Sequence, residues 1–562
     1  MRTFRKSKNT LLILILVITG ANLLQIIFTE LLMDEAYYVY FSRELSWGYF
    51  DHPPMVAFLI HLGSSILPAE AGVRLFSPFI YALSLILLWD LVDHPLKGKH
   101  PWLFFWFTGS LALLSAFGFF MLPDTPLILF GILLVWVYKR HLNNPDLLTM
   151  VGMGLCMAAM MYSKYQGALF ITFLLLSRPQ NFKDGKIWGA IILALILYLP
   201  HLWWLYDNDL VSLRYHLVER ANSAYHPRFT LHYLLNMIAL GGLAFPLVYF
   251  AVVKAPVKNA VDRGLKTVFY GFILFFLISS FNRKTQIQWV NLVHIPLVLF
   301  TYRYALNHLH FRKWLYRLSA ATVVLLTFLR LAMVFPQLSP VPLETHGNKE
   351  WTRELYEKTG GLPVVFHNSY RDAATYAFYT GARVFSLNDV GYRQNQFDID
   401  HSETPLRNKP VVLLSQDPVS NASITYTRPF KHKEWYGMVI DSFVNYSKLQ
   451  FNLDNREFAT GIPDEFTAQL HNPYPETIPL RKLRIEGITY DDNRKIIDTF
   501  VLKTGDPEIV LPPGKSAELR FSLPGKKKPI KASYFHIGLG HYDFKPGFEG
   551  NMVNINPVER DP

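Results

Sequence analysis

Residues 11–38 read LLILILVITGANLLQIIFTELLMDEAYY, and the change of chemistry inside that stretch decides the fold. From Leu11 to Phe28 no side chain is charged, and a bilayer core needs about 20 apolar residues in a helix to cross it. Only a helix or a closed barrel can satisfy its own backbone in lipid. The run is long for a signal peptide and no small-residue cleavage site follows it, so it reads as an anchor helix. Directly after it, Met33-Asp34-Glu35-Ala36-Tyr37-Tyr38 puts two adjacent carboxylates at the membrane boundary. Charged groups there are costly to bury and tend to interact with something.

Working outward, comparable apolar runs recur at Val73–Leu91, Trp102–Met121, Ile187–Leu205, Leu231–Val253 and Leu315–Phe335, and none follows. The chain of 562 residues is 51% hydrophobic, and that content is concentrated in its first 336 residues. About eleven spans are expected. Lysine and arginine account for a net charge of +12, but they sit in alternate short gaps: Arg5, Lys6 and Lys8; Lys97 and Lys99; Lys139 and Arg140; Arg178, Lys183 and Lys186; Lys254, Lys258 and Lys266; Arg312 and Lys313. That is the bias of loops on the cytoplasmic side, not a nucleic-acid surface. The expectation is a multi-pass protein of a bacterial inner (cell) membrane, with everything after Phe335 in the periplasm and membrane lipid as a partner. The lone Cys156 excludes a disulfide framework and a cysteine metal site.

Two outward segments exceed simple turns. Glu30 to Leu67 mixes acids, aromatics and apolar stretches, suggesting helices lying on the membrane surface, and Asp207 to Thr230 is polar. Past Pro336 the composition is that of a soluble protein. The strand-like runs Leu362–His367 and Pro410–Ser415, with a helix at Tyr370–Tyr379, predict an α/β unit. Alternating segments at Leu449–Leu453, Phe466–His471, Ala517–Phe521 and Tyr534–Leu539 are separated by turn signals such as Pro524-Gly525, and predict a β-sandwich. The expected domains are 1–336 in the membrane, 337–431 as α/β and 432–562 as the sandwich.

Chemistry-bearing residues collect on the expected outer face. A base that activates a hydroxyl must be a carboxylate within hydrogen-bond reach of it, and Asp34 qualifies; an interfacial acidic pair is the plainer explanation. In Trp47-Gly48-Tyr49-Phe50-Asp51-His52-Pro53-Pro54 the prolines can open a helix. Asp51 could then cap it or bind a cation. Asp124, in Leu122-Pro123-Asp124-Thr125-Pro126, could cap the next helix. Lys164, in Tyr162-Ser163-Lys164-Tyr165, would snorkel by default, yet suits a lipid-borne phosphate. His216, Arg220, Arg283 and Lys284 lie where positive-inside bias does not place cations, and phosphate is their natural partner.

The ordered set of Asp34-Glu35, Tyr49-Phe50-Asp51-His52-Pro53-Pro54 and Leu122-Pro123-Asp124-Thr125-Pro126 resembles bacterial protein-mannosyltransferase-like enzymes of the GT-C fold. These are akin to glycosyltransferase families 39 and 83, the latter including the lipid A aminoarabinose transferase. The resemblance covers roughly residues 1–336. It implies a polyprenyl-phosphate-linked sugar donor and a single displacement that inverts the anomeric carbon. It gives Asp34 the place of the essential first-loop aspartate, with Glu35 beside it, and Asp124 that of a second acid. Lys164, Arg220, Arg283 and Lys284, with Tyr49, become candidates to bind the donor phosphate. Asp51 matches an acidic position that in the aminoarabinose transferase helps hold a metal, so a divalent ion is expected there, with His216 as companion ligand. Tyr37 and His52 stand where aminoarabinose enzymes carry Arg and Lys, which points away from aminoarabinose and lipid A. The acceptor stays open between protein, lipid and glycan. A transporter or flippase for a lipid-linked saccharide, a non-catalytic assembly or sensor protein and an oligosaccharide ligase are the alternatives. Transporter sites lie near the bilayer midplane, whereas these groups gather at one interface.

Overall fold

The computed structural model describes residues 2–221, 224–429, 433–453, 457–458, 461–505, 507–524 and 532–555. Side chains up to residue 8, Gly525 of the expected turn and the expected boundary at 431–432 lie outside the described residues. The chain forms two compact units, Met1–Asn348 and Lys349–Pro562.

The first unit is helical. By length and composition six helices among the described residues can cross a membrane: Asn9–Phe28, Ala69–Leu91, Asp124–Asn143, Gly185–Asp207, Pro227–Lys254 and Leu309–Val334. Met55–Ile66, Leu147–Ser163 and Gln166–Leu176 are apolar but shorter. Large apolar side chains such as Leu195, Ile196, Leu199 and Trp203 remain exposed on Gly185–Asp207; in water such a surface would drive association, and in a bilayer it meets lipid. Between the helices Ile132, Leu134, Phe272 and Val298 are fully buried.

The run Trp102–Met121, expected as one span, is broken. Helix Pro101–Ser110 ends at Leu111, which is extended, and a short helix Ala112–Ala116 follows. Gly109 and Ser110 are weak helix formers, and the Ser110 hydroxyl bonds back to the Phe107 carbonyl. The long first loop folds into helices Met33–Arg43 and Met55–Ile66, the second opening directly after Pro53-Pro54 as proline geometry favours. In the second loop a short helix, Val211–Leu217, carries His216 to the backbone carbonyl of Asp51.

The second unit begins with a five-stranded sheet. Its strands are β1 (Val364–His367), β2 (Val384–Leu387), β3 (Val411–Ser415), β4 (Ile424–Arg428) and β5 (Lys433–Ile440), in the order β2-β1-β3-β5-β4. The first three run parallel and are buried on both faces, which is why they read as unbroken apolar runs. The expected sandwich start at 432 needs correction, because β5 pairs antiparallel with β3 and belongs to this sheet. It lies between β3 and β4, and such pairing is invisible in a single strand. The sandwich follows, with a five-stranded sheet carrying Arg484–Tyr490 and Tyr534–Gly540 and a four-stranded one carrying Glu465–His471 and Ser516–Ser522. Leu470, Leu519, Phe521, Phe535 and Ile537 fill its core.

Candidate active site

The site is built on an anchor. Glu35 is fully buried and forms a bidentate pair with Arg74, which also donates to the carbonyls of Thr29 and Glu30. The same carboxylate accepts from the backbone N–H of Met121 (2.9 Å) and of Leu32 (3.1 Å), the latter at the N-cap of its own helix. With both oxygens saturated, Glu35 has no capacity to take a proton from an acceptor. Its expected catalytic role is therefore corrected to a structural one. The anchor nevertheless does something for its neighbour: it ties the first turn of Met33–Arg43 to the segment leading into Asp124. Asp34, half-buried, is held in that turn. Tyr38, one helical turn further on the same face, packs edge-on against His52 with ring centroids 5.4 Å apart.

From His52 the site continues through rings and backbone. His216 lies 6.5 Å from His52, centroid to centroid, and its Nε2–H donates to the Asp51 carbonyl at 2.9 Å. Tyr165 packs on His216 and donates its hydroxyl to His201 Nε2 at 3.1 Å. His201, in turn, donates from Nδ1 to the Trp47 carbonyl at 2.6 Å. His201 sits directly after Pro200, a proline inside a helix that costs that helix a backbone hydrogen bond. Thus Asp51 and His216 are brought together, but through the backbone of one and the Nε2 of the other. Among the described residues no three His, Cys, Asp or Glu side chains are placed to hold a metal ion. No step is assigned to the expected divalent ion.

Tyr49 also needs correction. Its hydroxyl donates toward the carbonyls of Phe41 and Glu44 and accepts from the Ser46 N–H, while its ring stacks on Phe41 at 4.4 Å. Burial pushes its phenol up to about 12. Tyr49 braces the first loop and does not reach for phosphate.

Asp124 and Lys164, read from sequence as an acid and a phosphate ligand, are partners. The Lys164 ammonium donates to Asp124 Oδ2 at 2.5 Å, and both side chains are buried. Asp124 lies in the first turn of its helix without serving as its cap.

The remaining cations do converge. Arg220, Arg283 and Lys284 line one cavity of about 630 Å³, with His232, Asn236 and Gln288. Arg283 donates to the carbonyl of His216 at 2.7 Å, joining this cavity to the histidine belt. Arg220 lies over the Trp289 ring at 4.6 Å. Burial, and then the charge of Arg220, push the Arg283 guanidinium below its ordinary value. The acid in the lining, Glu219, pairs with Arg214 at 3.4 Å. Two guanidinium groups that repel each other in a cavity make a site for an anion. Separately, Trp47, Pro54, Met55, Phe58 and Tyr162 line an apolar cavity of about 500 Å³.

Sequence reasoning missed Arg74, His201 and Tyr165. Arg74 carried a usable signal, a cation opening an apolar run on the expected outer side; the other two look like ordinary aromatic-belt residues.

Residues 51–204 match the family model described as dolichyl-phosphate-mannose-protein mannosyltransferase. That match takes in Asp51, Asp124, Lys164 and His201, and lies outside Asp34 and the cation cavity. The chain is 23% identical over 268 residues to the lipid A galacturonosyltransferase RgtD of Rhizobium johnstonii, covering 44% of this chain and 55% of that protein. It is 24% identical over 243 residues to the lipopolysaccharide core galacturonosyltransferase RgtA of the same organism, covering 39% and 46%. The chain thus spans about half the length of the curated relatives it matches. The crystal structure of ArnT from Cupriavidus metallidurans matches with a TM-score of 0.55 at 12% identity, over 77% of this chain and 98% of that one. The same protein bound to undecaprenyl phosphate gives 0.54 at 12% identity, over 76% and 97%. The chain is a multi-pass membrane protein with the GT-C fold expected from its sequence, and it is similar to glycosyltransferases of that fold.

Proposed function

We propose that this chain is an inverting glycosyltransferase that moves a sugar from a polyprenyl-phosphate carrier to an acceptor hydroxyl at the outer face of the inner membrane, with its C-terminal unit in the periplasm. The observation that carries this reading is the cavity in which Arg220, Arg283 and Lys284, from two distant loops, face one space, with Glu219 the one acid among its described lining residues. A sugar phosphodiester of a lipid fits that charge. The relatives named as glycosyltransferases and the fold neighbour bound to undecaprenyl phosphate support it.

In the reaction so read, Asp34 accepts the proton of the acceptor hydroxyl. The oxygen attacks the anomeric carbon from the face opposite the phosphate, and the bond from that carbon to the phosphate oxygen breaks. The electron pair leaves with the polyprenyl phosphate, whose charge rises as the sugar departs. Cations placed where charge develops lower the barrier without reorganising. Arg220, Arg283 and Lys284 supply that field, and the apolar cavity beside Trp47 and Phe58 takes hydrocarbon from one of the two substrates.

The test is transfer from a radiolabelled polyprenyl-phosphate-sugar pool in membranes, comparing the native chain with Asp34→Asn at matched expression. Loss of turnover with donor binding retained supports the reading. Equal turnover removes Asp34 from the chemistry. Movement of labelled lipid across the bilayer without any sugar transfer replaces the enzyme with a flippase.

A further inference from the structure

Asp124 uses one oxygen, Oδ2, for Lys164. Its other oxygen, Oδ1, is buried and makes no hydrogen bond of ordinary geometry. The side-chain amide of Asn291 interacts with this carboxylate, and its Nδ2 is likewise buried without a hydrogen bond of ordinary geometry. Asn291 belongs to the tight turn Ile287–Val293, which leads directly into helix His294–Asn307.

The amide is oriented from behind. His294 Nδ1 lies 2.8 Å from the backbone carbonyl oxygen of Asn291 and 3.0 Å from its Oδ1. A carbonyl oxygen only accepts, so Nδ1 carries the proton. That proton claims the amide oxygen as well, and the amide nitrogen is left pointing at Asp124. The tautomer of a buried histidine, set by a backbone carbonyl, thereby decides which end of Asn291 meets the carboxylate.

We infer that Asn291 is a positioning residue for the Asp124–Lys164 pair, and that His294 holds it in the competent orientation. This rests on the reading of Asp124 as part of a glycosyl-transfer site. With the Asn291 amide beside it, the carboxylate is kept from rotating to capture a second ammonium hydrogen, which leaves the remaining N–H groups of Lys164 for a ligand.

The experiment uses the purified full-length chain in nanodiscs with a polyprenyl-phosphate-sugar donor. Asparagine can place its Nδ2 near the position of a histidine Nδ1, whereas glutamine reaches the position of Nε2. The expected result is that Asn291→Ala and His294→Gln each lower kcat about 10–100-fold, as loss of an outer supporting partner does. KM for the donor stays within about 3-fold on the same grounds. His294→Asn recovers most of the rate, and Asn291→Ala with His294→Gln is no worse than either alone. Equal rates for His294→Asn and His294→Gln, or a native kcat in Asn291→Ala, overturns the inference. Native turnover in Asp124→Asn sinks the functional reading of Asp124 instead. The contact is tested separately by thermal unfolding. Less-than-additive Tm losses for Asn291→Ala and Asp124→Asn in the double variant support it, and additive losses refute it whether or not sugar is transferred.

Discussion

Asp34 and Glu35 are adjacent carboxylates in one helical turn, and their surroundings give them different work. Glu35 meets Arg74, with both side chains fully buried. Breaking a buried pair by removing one charge leaves the other uncompensated, at a cost of about 3–5 kcal/mol. Glu35→Gln is therefore expected to lower the thermal stability of the first unit and the yield of folded protein from membranes, measured by detergent-resistant monodispersity on heating. Any folded fraction should retain turnover per molecule, since both Glu35 oxygens are already taken by Arg74 and backbone N–H groups. Asp34→Asn is expected to do the reverse. Its yield and melting stay near native while sugar transfer falls about 10²–10⁴-fold, the range for a lost general base. The motif itself does not say which carboxylate is the structural one. The distinguishing fact is an arginine 39 positions away.

At the scale of elements, the site depends on close helix approaches and on two loops. Helix Met55–Ile66, which begins just after Asp51 and His52, packs so closely on its successor, helix Ala69–Arg74, that a Cβ at Gly63 would collide with the Gly72 carbonyl oxygen. Overpacking of this kind costs about 1–3 kcal/mol, so Gly63→Ala should lower Tm and displace the start of that helix. A rise in donor KM accompanying the lower Tm would register the displacement. Arg283, in the later of the two outer loops, is expected to matter through charge developing on the leaving phosphate. Arg283→Ala should lower kcat/KM for the donor by about 2–4 kcal/mol of transition-state stabilisation. Arg283→Lys should restore part of it. Both are read from initial rates with a defined polyprenyl-phosphate-sugar, and an unchanged kcat/KM in Arg283→Ala would remove the cavity from the donor site.

Over the whole molecule, the two units answer to different solvents. The first holds apolar side chains outward, and the second buries a conventional sandwich core in which His536 is enclosed. Burial lowers the His536 imidazole from 6.5 to about 4. Its Nε2 accepts from the Gly550 N–H at 3.3 Å, which only the neutral ring can do. The folded state thus prefers the unprotonated ring. Above pH 6.5 neither state is protonated and the full stability is present. As pH falls toward 4 the unfolded chain takes up a proton first, and about 3 kcal/mol is lost. Hydrogen exchange in Arg484–Tyr490 and Tyr534–Gly540, taken relative to the intrinsic chemical rate at each pH, is expected to accelerate across that window in the native chain. The acceleration should be flat in His536→Gln; an equal slope in both would assign the acid sensitivity elsewhere.

The sequence by itself determined the solvent of each part of the chain. Hydrophobic run length and the placement of lysine and arginine respond to the bilayer directly, residue by residue, without knowledge of contacts. The same holds for the buried parallel strands, whose apolar runs record burial on both faces, and for the helix that opens after Pro53-Pro54. Local chemistry also marked Arg220, Arg283 and Lys284, because they stand in gaps where the positive-inside pattern does not expect cations. Only the tertiary structure decided how charges pair. It withdrew Glu35 and Tyr49 from the chemistry, joined Lys164 to Asp124, drew the three remaining cations into one cavity and placed β5 beside β3. Pairing depends on which distant side chain arrives within about 3 Å, and a hydrogen bond or ion pair falls away steeply beyond that distance.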